Sequence, residues 1–273
     1  MTTVNRTIGA MKPMPTEMED YLFDLQGYIV LRNAVKQDHV AEINEAAEAL
    51  LPLEADTWSG HVHCRGNPPD QVGLSQIIEA GEPFERLIDH PSWIDHINRY
   101  VGRDDGLFID QNWWNKRGPS GGLTLHSGGH KRRIRTQFRY HDGQFRCGQV
   151  NILLALNNIG PEDGPTMVVP GSHKSNVLHP AFTREDLSME AVENAIKVPL
   201  NCGDAILFVD CLAHGSAKRT SPGHRLSLLY RYGPHWGHDR FGFEPSDALL
   251  ERLTPERRKI IQPIPPKRPP VLA

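Results

Sequence analysis

Apolar positions recur at several distinct spacings along this chain. Between Glu17 and Gln26 they follow a helical period, and Gly27, free to adopt a left-handed backbone, predicts the end of that helix. Tyr28–Arg32 reads YIVLR, an aromatic and β-branched run that predicts a strand. Val40, Ile43, Ala47 and Leu50 return to helical spacing, and Pro52 closes that segment. From Thr57 to Pro83 neither period is sustained, which predicts loop. Phe84–Ile88 and Trp93–Val101 predict two more helical pieces before Gly102.

Beyond Leu107 the pattern shortens. Runs such as Leu107–Ile109, Val150–Leu156, Thr166–Val169, Ala205–Val209 and Leu226–Tyr232 are apolar strands separated by Gly, Pro, Asn and Asp turns. A charged interval, Arg184–Ile196, is expected to be helical. Helices first and strands afterwards predict a mainly β fold with flanking helices, a double-stranded β-helix (jelly roll). The expected layout is one domain over residues 1–273, with helices in 16–101, a jelly-roll core in 107–233 and an extension in 245–273. That extension is basic and helix-like after Pro245 and proline-rich from Ile260; the first fifteen residues are expected to be disordered.

Composition narrows the function. A chain of 273 residues with 38% hydrophobic and 23% charged positions fits a globular protein with one large core. The formal net charge of -3 gives no global attraction to nucleic acid or to an anionic membrane. No apolar stretch has the length of a membrane span or a signal peptide. Cys64, Cys147, Cys202 and Cys211 form no C-x-x-C pair, which argues against a zinc ribbon or redox dithiol and favours a reducing cytoplasmic compartment.

Candidate chemistry sits in three segments. TLHSGG (124–129) places His126 after the Gly-rich stretch 118–122. GPTMVVPGSHKSN (164–176) is a strand breaking into a Pro-Gly turn. In GDAILFVDCLAHGSAKRTSPGHR (203–225) a buried strand delivers His214 and Arg225 opens the next strand. An oxygenase iron takes two imidazoles and a carboxylate on one face, leaving positions for a 2-oxoacid and O₂. A guanidinium that forks onto the far carboxylate of that acid completes such a site. Strand alternation puts Arg225, Ser227, Leu229 and Arg231 on one face; if it lines the barrel, Arg225 needs an anion there.

At this point the sequence resembles the phytanoyl-CoA dioxygenase family, from Gly27-Tyr28-Ile29-Val30-Leu31 to about Tyr232. His214-Gly215-Ser216 with Arg225 eleven residues after the histidine, and Pro170-Gly171-Ser172-His173, carry the resemblance. The resemblance implies a non-haem Fe(II) held by His126 and His214, 2-oxoglutarate anchored by Arg225 and hydrogen-bonded by Ser216, and attack on a C–H bond of a small organic substrate. His126 occupies the place of the family's first iron ligand, but two residues on stands Gly128 and not aspartate. A His-x-Gly pattern is similar to that of the related aliphatic halogenases, in which chloride fills the vacated position. Hydroxylation, halogenation with chloride, and a binding or scaffold module that holds metal weakly therefore stay open as alternatives.

Several other residues carry plainer readings. His141-Asp142-Gly143 is expected to be a hairpin turn with arms Thr136–Tyr140 and Gln144–Val150, since Asp-Gly favours a type I′ turn. His173, His61 and His63 are expected to be structural, and Trp113 and Trp114 to supply core and pocket wall. Lys131, Arg132, Arg133, Arg135 and Arg139 form either a solvated loop or a cationic mouth that steers a carboxylated or phosphorylated substrate. The run lacks interleaved aromatics apart from Phe138, which argues against nucleic acid.

Overall fold

A computed structural model describes residues 15–51, 53–67, 71–102, 106–119, 122–127, 136–184, 186–237 and 243–262. Helix α1 (Glu17–Gln26) starts in a capping box: the Thr16 hydroxyl accepts from the Glu19 amide at 3.1 Å, and the Glu19 carboxylate accepts from the Thr16 amide at 2.7 Å. It ends at Gly27, whose φ of 84° is the left-handed value expected. Strand β1 (Tyr28–Leu31) and helix α2 (Gln37–Glu48) follow, also as expected.

The segment expected to be loop is not loop. It forms β2 (Trp58–Ser59), β3 (Val62–Asn67) and β4 (Gln71–Ser75). Val62, Cys64, Val72 and Leu74 alternate into the core, at 3% exposure or less. On the other face their neighbours are polar, His63 and Ser75 buried and Arg65 exposed. A strand whose second face is a polar wall gives a weak alternation signal, so the sequence reading missed it. Helices α3 (Glu82–Glu85) and α4 (Ile94–Ile97) match the two short helical pieces, and α4 runs on as a π-turn through Gly102.

The remaining strands are β5 (Leu107–Arg117), β6 (Tyr140–His141), β7 (Gln144–Phe145), β8 (Val150–Ala155), β9 (Thr166–Val168), β10 (Ile196–Val198), β11 (Ala205–Val209), β12 (His214–Ser216) and β13 (Arg225–Pro234). Leu107–Ile109 is thus only the start of an eleven-residue strand. The interval 184–196 carries no α-helix among its described residues. Its chain makes 3₁₀ turns at Pro180–Thr183 and Met189–Ala191, with Ala181, Met189 and Val192 buried. Those few apolar positions suffice for a covering strap, not for a helix. Two short helices, α5 (Asp247–Arg252) and α6 (Pro255–Ile261), close the described chain. The two ends expected to be irregular lie outside the described residues, apart from residues 15 and 260–262.

Two sheets form the jelly roll expected, and β6 and β7 pair apart from them as a two-stranded hairpin. An eight-stranded sheet runs β1-β11-β8-β13-β5-β4-β3-β2, and a smaller one runs β10-β9-β12. Strand β13 shows why its alternation matters. On one face Leu228, Tyr230 and Tyr232 are fully buried with Trp114. The Tyr230 hydroxyl donates to the Phe84 carbonyl at 2.8 Å, and the Tyr232 hydroxyl accepts from Trp93 Nε1 at 3.1 Å, so the helical layer is clamped to the sheet. On the other face Arg225, Ser227, Leu229 and Arg231 look into the barrel, in register with Arg117, Asn115, Trp113 and Gln111 of β5. Each fully buried large side chain on the first face contributes about 1.5–3 kcal/mol, and that face fixes where the second one points. Among the described residues no helix is long and apolar enough to cross a membrane.

Candidate functional site

His126 precedes any named strand partner of its own, yet it is held like a strand residue. It bridges β12 antiparallel opposite His214, with His126 N donating to His214 O at 2.8 Å and His214 N donating to His126 O at 2.9 Å. Residues directly opposite in such a pair project to the same side. The two imidazole centroids accordingly lie 4.2 Å apart, tilted by 57°. Glycines make the approach possible. A Cβ on Gly122 would land on the Ser216 carbonyl oxygen, and one on Gly215 would lie 2.5 Å from the Leu123 carbonyl oxygen.

Both rings are oriented through Nδ1. His126 Nδ1 lies 2.8 Å from the Thr124 carbonyl, and His214 Nδ1 lies 2.7 Å from the Leu212 carbonyl. A carbonyl oxygen only accepts, so each Nδ1 carries a proton and Nε2 is the ring atom left to meet a metal. Phe208 packs edge-on to His214 at 4.8 Å. Burial, reinforced by the neighbouring His126, pushes the His214 imidazole down to about 3, so at neutral pH it is an uncharged donor. Two imidazoles whose Nδ1–H groups are held by backbone carbonyls suit a divalent transition metal.

Among the described residues no group of three histidine, cysteine or carboxylate side chains forms a metal cluster. Gly128 lies outside the described residues. Asp142 is not near the pair: it sits with Gly143 at φ 52° and 74° in the hairpin between β6 and β7, the turn expected from Asp-Gly, and its side chain is 96% exposed. Asp210 is buried and close enough to act electrostatically on His214, but it is engaged by Arg231 Nε at 3.2 Å and Asn151 Nδ2 at 3.2 Å.

Arg225 is buried in the same interior. Its Nη2 donates to Thr166 Oγ1 at 3.2 Å, and its Nε has no hydrogen-bond partner. Burial, with the charges of Arg117 and Arg219, pushes its guanidinium down to about 9. Ser216 is also buried there, and its Oγ accepts from Arg117 Nη1 at 2.7 Å and from the Leu123 amide at 2.9 Å, leaving its own proton to donate. The structure thus buries His214, Ser216 and Arg225 in one interior and sets the exposed His126 ring beside that of His214. It adds Arg117 and Thr166, which the sequence reading missed; Arg117 ends β5 and becomes visible only through its register with Arg225.

Other expected assignments fall outside the site. His173 is buried under Gly27, its Nε2 3.0 Å from the Asp24 carbonyl, in the structural role expected. His61 is exposed and His63 pairs with Asp56 at 2.8 Å. Trp114 is core and Trp113 is half-buried on the concave face beneath Arg65. Of the cation run, Lys131, Arg132, Arg133 and Arg135 lie outside the described residues; Arg139 stacks over Trp236 at 4.9 Å.

Comparison with known proteins bears on the fold and the family. The family model for phytanoyl-CoA dioxygenase (PhyH) matches residues 23–227. A dioxygenase, cdmD, of Talaromyces verruculosus is 26% identical over 125 residues, covering 45% of this chain but only 38% of the fungal protein. An ectoine dioxygenase of Sphingopyxis alaskensis is 26% identical, over 89% of this chain and 87% of that one. The crystal structure of HygX from Streptomyces hygroscopicus with nickel, 2-oxoglutarate and hygromycin B bound superposes with a TM-score of 0.67 at 25% identity, covering 80% of this chain and 87% of that one.

Proposed function

The chain belongs to the phytanoyl-CoA dioxygenase family, and on that footing we propose that it hydroxylates a C–H bond of a small organic molecule with Fe(II) and 2-oxoglutarate. It is an enzyme, an Fe(II)/2-oxoglutarate-dependent dioxygenase acting as one domain. The overall conversion takes R–H, O₂ and 2-oxoglutarate to R–OH, succinate and CO₂. When bound, the iron supplies the oxygen activation that no amino-acid side chain provides.

The observation that carries the reading is the His126–His214 pair, two backbone-oriented imidazoles 4.2 Å apart, beside a barrel interior that also holds an anion-seeking arginine. His126 and His214 would hold the metal through Nε2. Arg225 would hold the distal carboxylate of 2-oxoglutarate, with the Ser216 proton as a further donor. Phe208 and the surrounding burial keep bulk water from His214, Ser216 and Arg225, whereas His126 is exposed. The four cysteines are free, which suits a reducing cytoplasmic compartment.

A second reading is halogenation. Gly128 offers no ligand atom, and the described residues bring no carboxylate into a three-residue set with the histidines; chloride would then share the metal. A carboxylated or phosphorylated substrate follows from the cation run 131–139 and predicts a KM that rises with ionic strength.

Anaerobic addition of Fe(II) and 2-oxoglutarate should give a weak visible charge-transfer band, lost in His126→Ala, His214→Ala and Arg225→Ala. Absence of the band in the wild-type chain, or iron affinity unchanged in both histidine variants, would end the oxygenase reading and leave the non-catalytic alternative. Chloride that alters the band favours halogenation. Gly128→Asp that leaves iron affinity and turnover untouched removes Gly128 from the metal.

A further inference from the structure

The barrel interior holds more positive charge than one co-substrate anchor requires. Arg117 and Arg225 are direct cross-strand partners of β5 and β13, so their side chains leave the same face of the sheet. Among the described residues no carboxylate lies within ion-pair distance of either. The nearby Arg219 is already engaged by Asp163 at 3.2 Å. Two guanidiniums on one face, Arg225 buried and Arg117 half-buried, repel each other and lose part of their hydration, a cost that an anion between them removes. Arg117 also lines a cavity of about 120 Å³ with Arg65, Trp113 and Asn115, and no carboxylate residue lines it.

We propose that Arg117 is a second anchor for the distal carboxylate of the co-substrate, forming with Arg225 a two-guanidinium clamp that makes the site select 2-oxo dicarboxylic over 2-oxo monocarboxylic acids. The inference rests on the reading of Arg225 given above. Arg117 acts in two ways. One N–H, on Nη1, donates to Ser216 Oγ and so turns the serine proton away from Arg117, toward the same carboxylate. The remaining N–H groups of the fork would share a two-oxygen anion with Arg225, geometry that a guanidinium offers and an ammonium does not.

The test uses the full-length chain with Fe(II) under anaerobic conditions and reads the charge-transfer band during titration with 2-oxoglutarate or with 2-oxobutyrate, which chelates alike but lacks the distal carboxylate. The wild-type chain should prefer 2-oxoglutarate strongly. Arg117→Met should weaken 2-oxoglutarate by about tenfold or more and leave 2-oxobutyrate within about twofold. Arg117→Lys should restore part of the loss. A merely structural role would weaken both acids equally, and that result, or no change in either, overturns the clamp. Arg225→Met run in parallel separates the two claims. If it narrows the preference and Arg117→Met does not, the clamp falls and the Arg225 anchor stands; if neither narrows it, the Arg225 anchor falls as well. Should Arg117→Met fail to fold by circular dichroism, Arg117→Lys decides: a loss confined to 2-oxoglutarate supports the clamp, and equal or absent losses overturn it.

Discussion

His126 and His214 exchange both backbone hydrogen bonds, at 2.8 and 2.9 Å, so the distance between their imidazoles is set by the peptide backbone and not by side-chain packing. A site built this way tolerates little backbone displacement. The glycines that flank it are therefore as necessary to the geometry as the histidines.

Gly215→Ala should weaken iron binding by about tenfold or more while most of the fold survives. Its Cβ would meet the Leu123 carbonyl oxygen at 2.5 Å and Met189 Cγ at 2.6 Å, forcing the 122–126 segment off β12. Iron titration alongside circular dichroism checks this; unchanged affinity would mean that the bridge yields without moving the rings.

Tyr230→Phe should cost about 1–2 kcal/mol in denaturant unfolding. The lost hydroxyl donates to the Phe84 carbonyl at 2.8 Å in a fully buried position, and nothing nearby replaces it. The iron and co-substrate affinities should hold, because Tyr230 lies on the opposite face of β13 from Arg225 and Arg231.

Arg252→Ala should destabilise the chain by about 2 kcal/mol. Its Nε donates to Glu85 Oε1 at 2.6 Å, and Glu85 is 4% exposed, so removal strands a buried carboxylate. The figure is held below that of a fully buried pair because the Arg252 side chain is 39% exposed and partly screened. Thermal unfolding of the variant with and without Glu85→Gln measures it; the double variant should recover part of the loss.

Acid should destabilise the fold between pH 6.5 and 4. Burial pushes the His173 and His90 imidazoles down to about 4. Above pH 6.5 both are neutral in either state and contribute no slope. As pH falls below 6.5 the unfolded chain takes up protons that the folded chain refuses until about pH 4, so stability drops across that window. For His173 the loss is at most about 3 kcal/mol. His173→Gln should flatten its share of the slope in unfolding curves measured from pH 7 to 4; an unchanged slope would mean that His173 titrates normally.

By itself the sequence determined the elements whose signal is local. Gly27 ends α1 because a left-handed residue must; Asp142-Gly143 turns because both can take positive φ; and β13 alternates Arg225, Ser227, Leu229 and Arg231 against Leu228, Tyr230 and Tyr232. It also named His126, His214, Ser216 and Arg225, since their spacing along the chain is what the resemblance consists of. The strands β2 to β4 escaped it, because their second face is mostly polar, with His63 and Ser75 buried and Arg65 and Gln71 exposed. Arg117 escaped it too. Nothing local distinguishes an arginine at a strand end from a surface charge. Only the pairing of β5 with β13, a contact between residues 108 positions apart in the register Arg225 to Arg117, brings it beside the buried guanidinium of Arg225. Register between distant strands depends on how both faces of the sheet pack at once, so tertiary structure alone decided it.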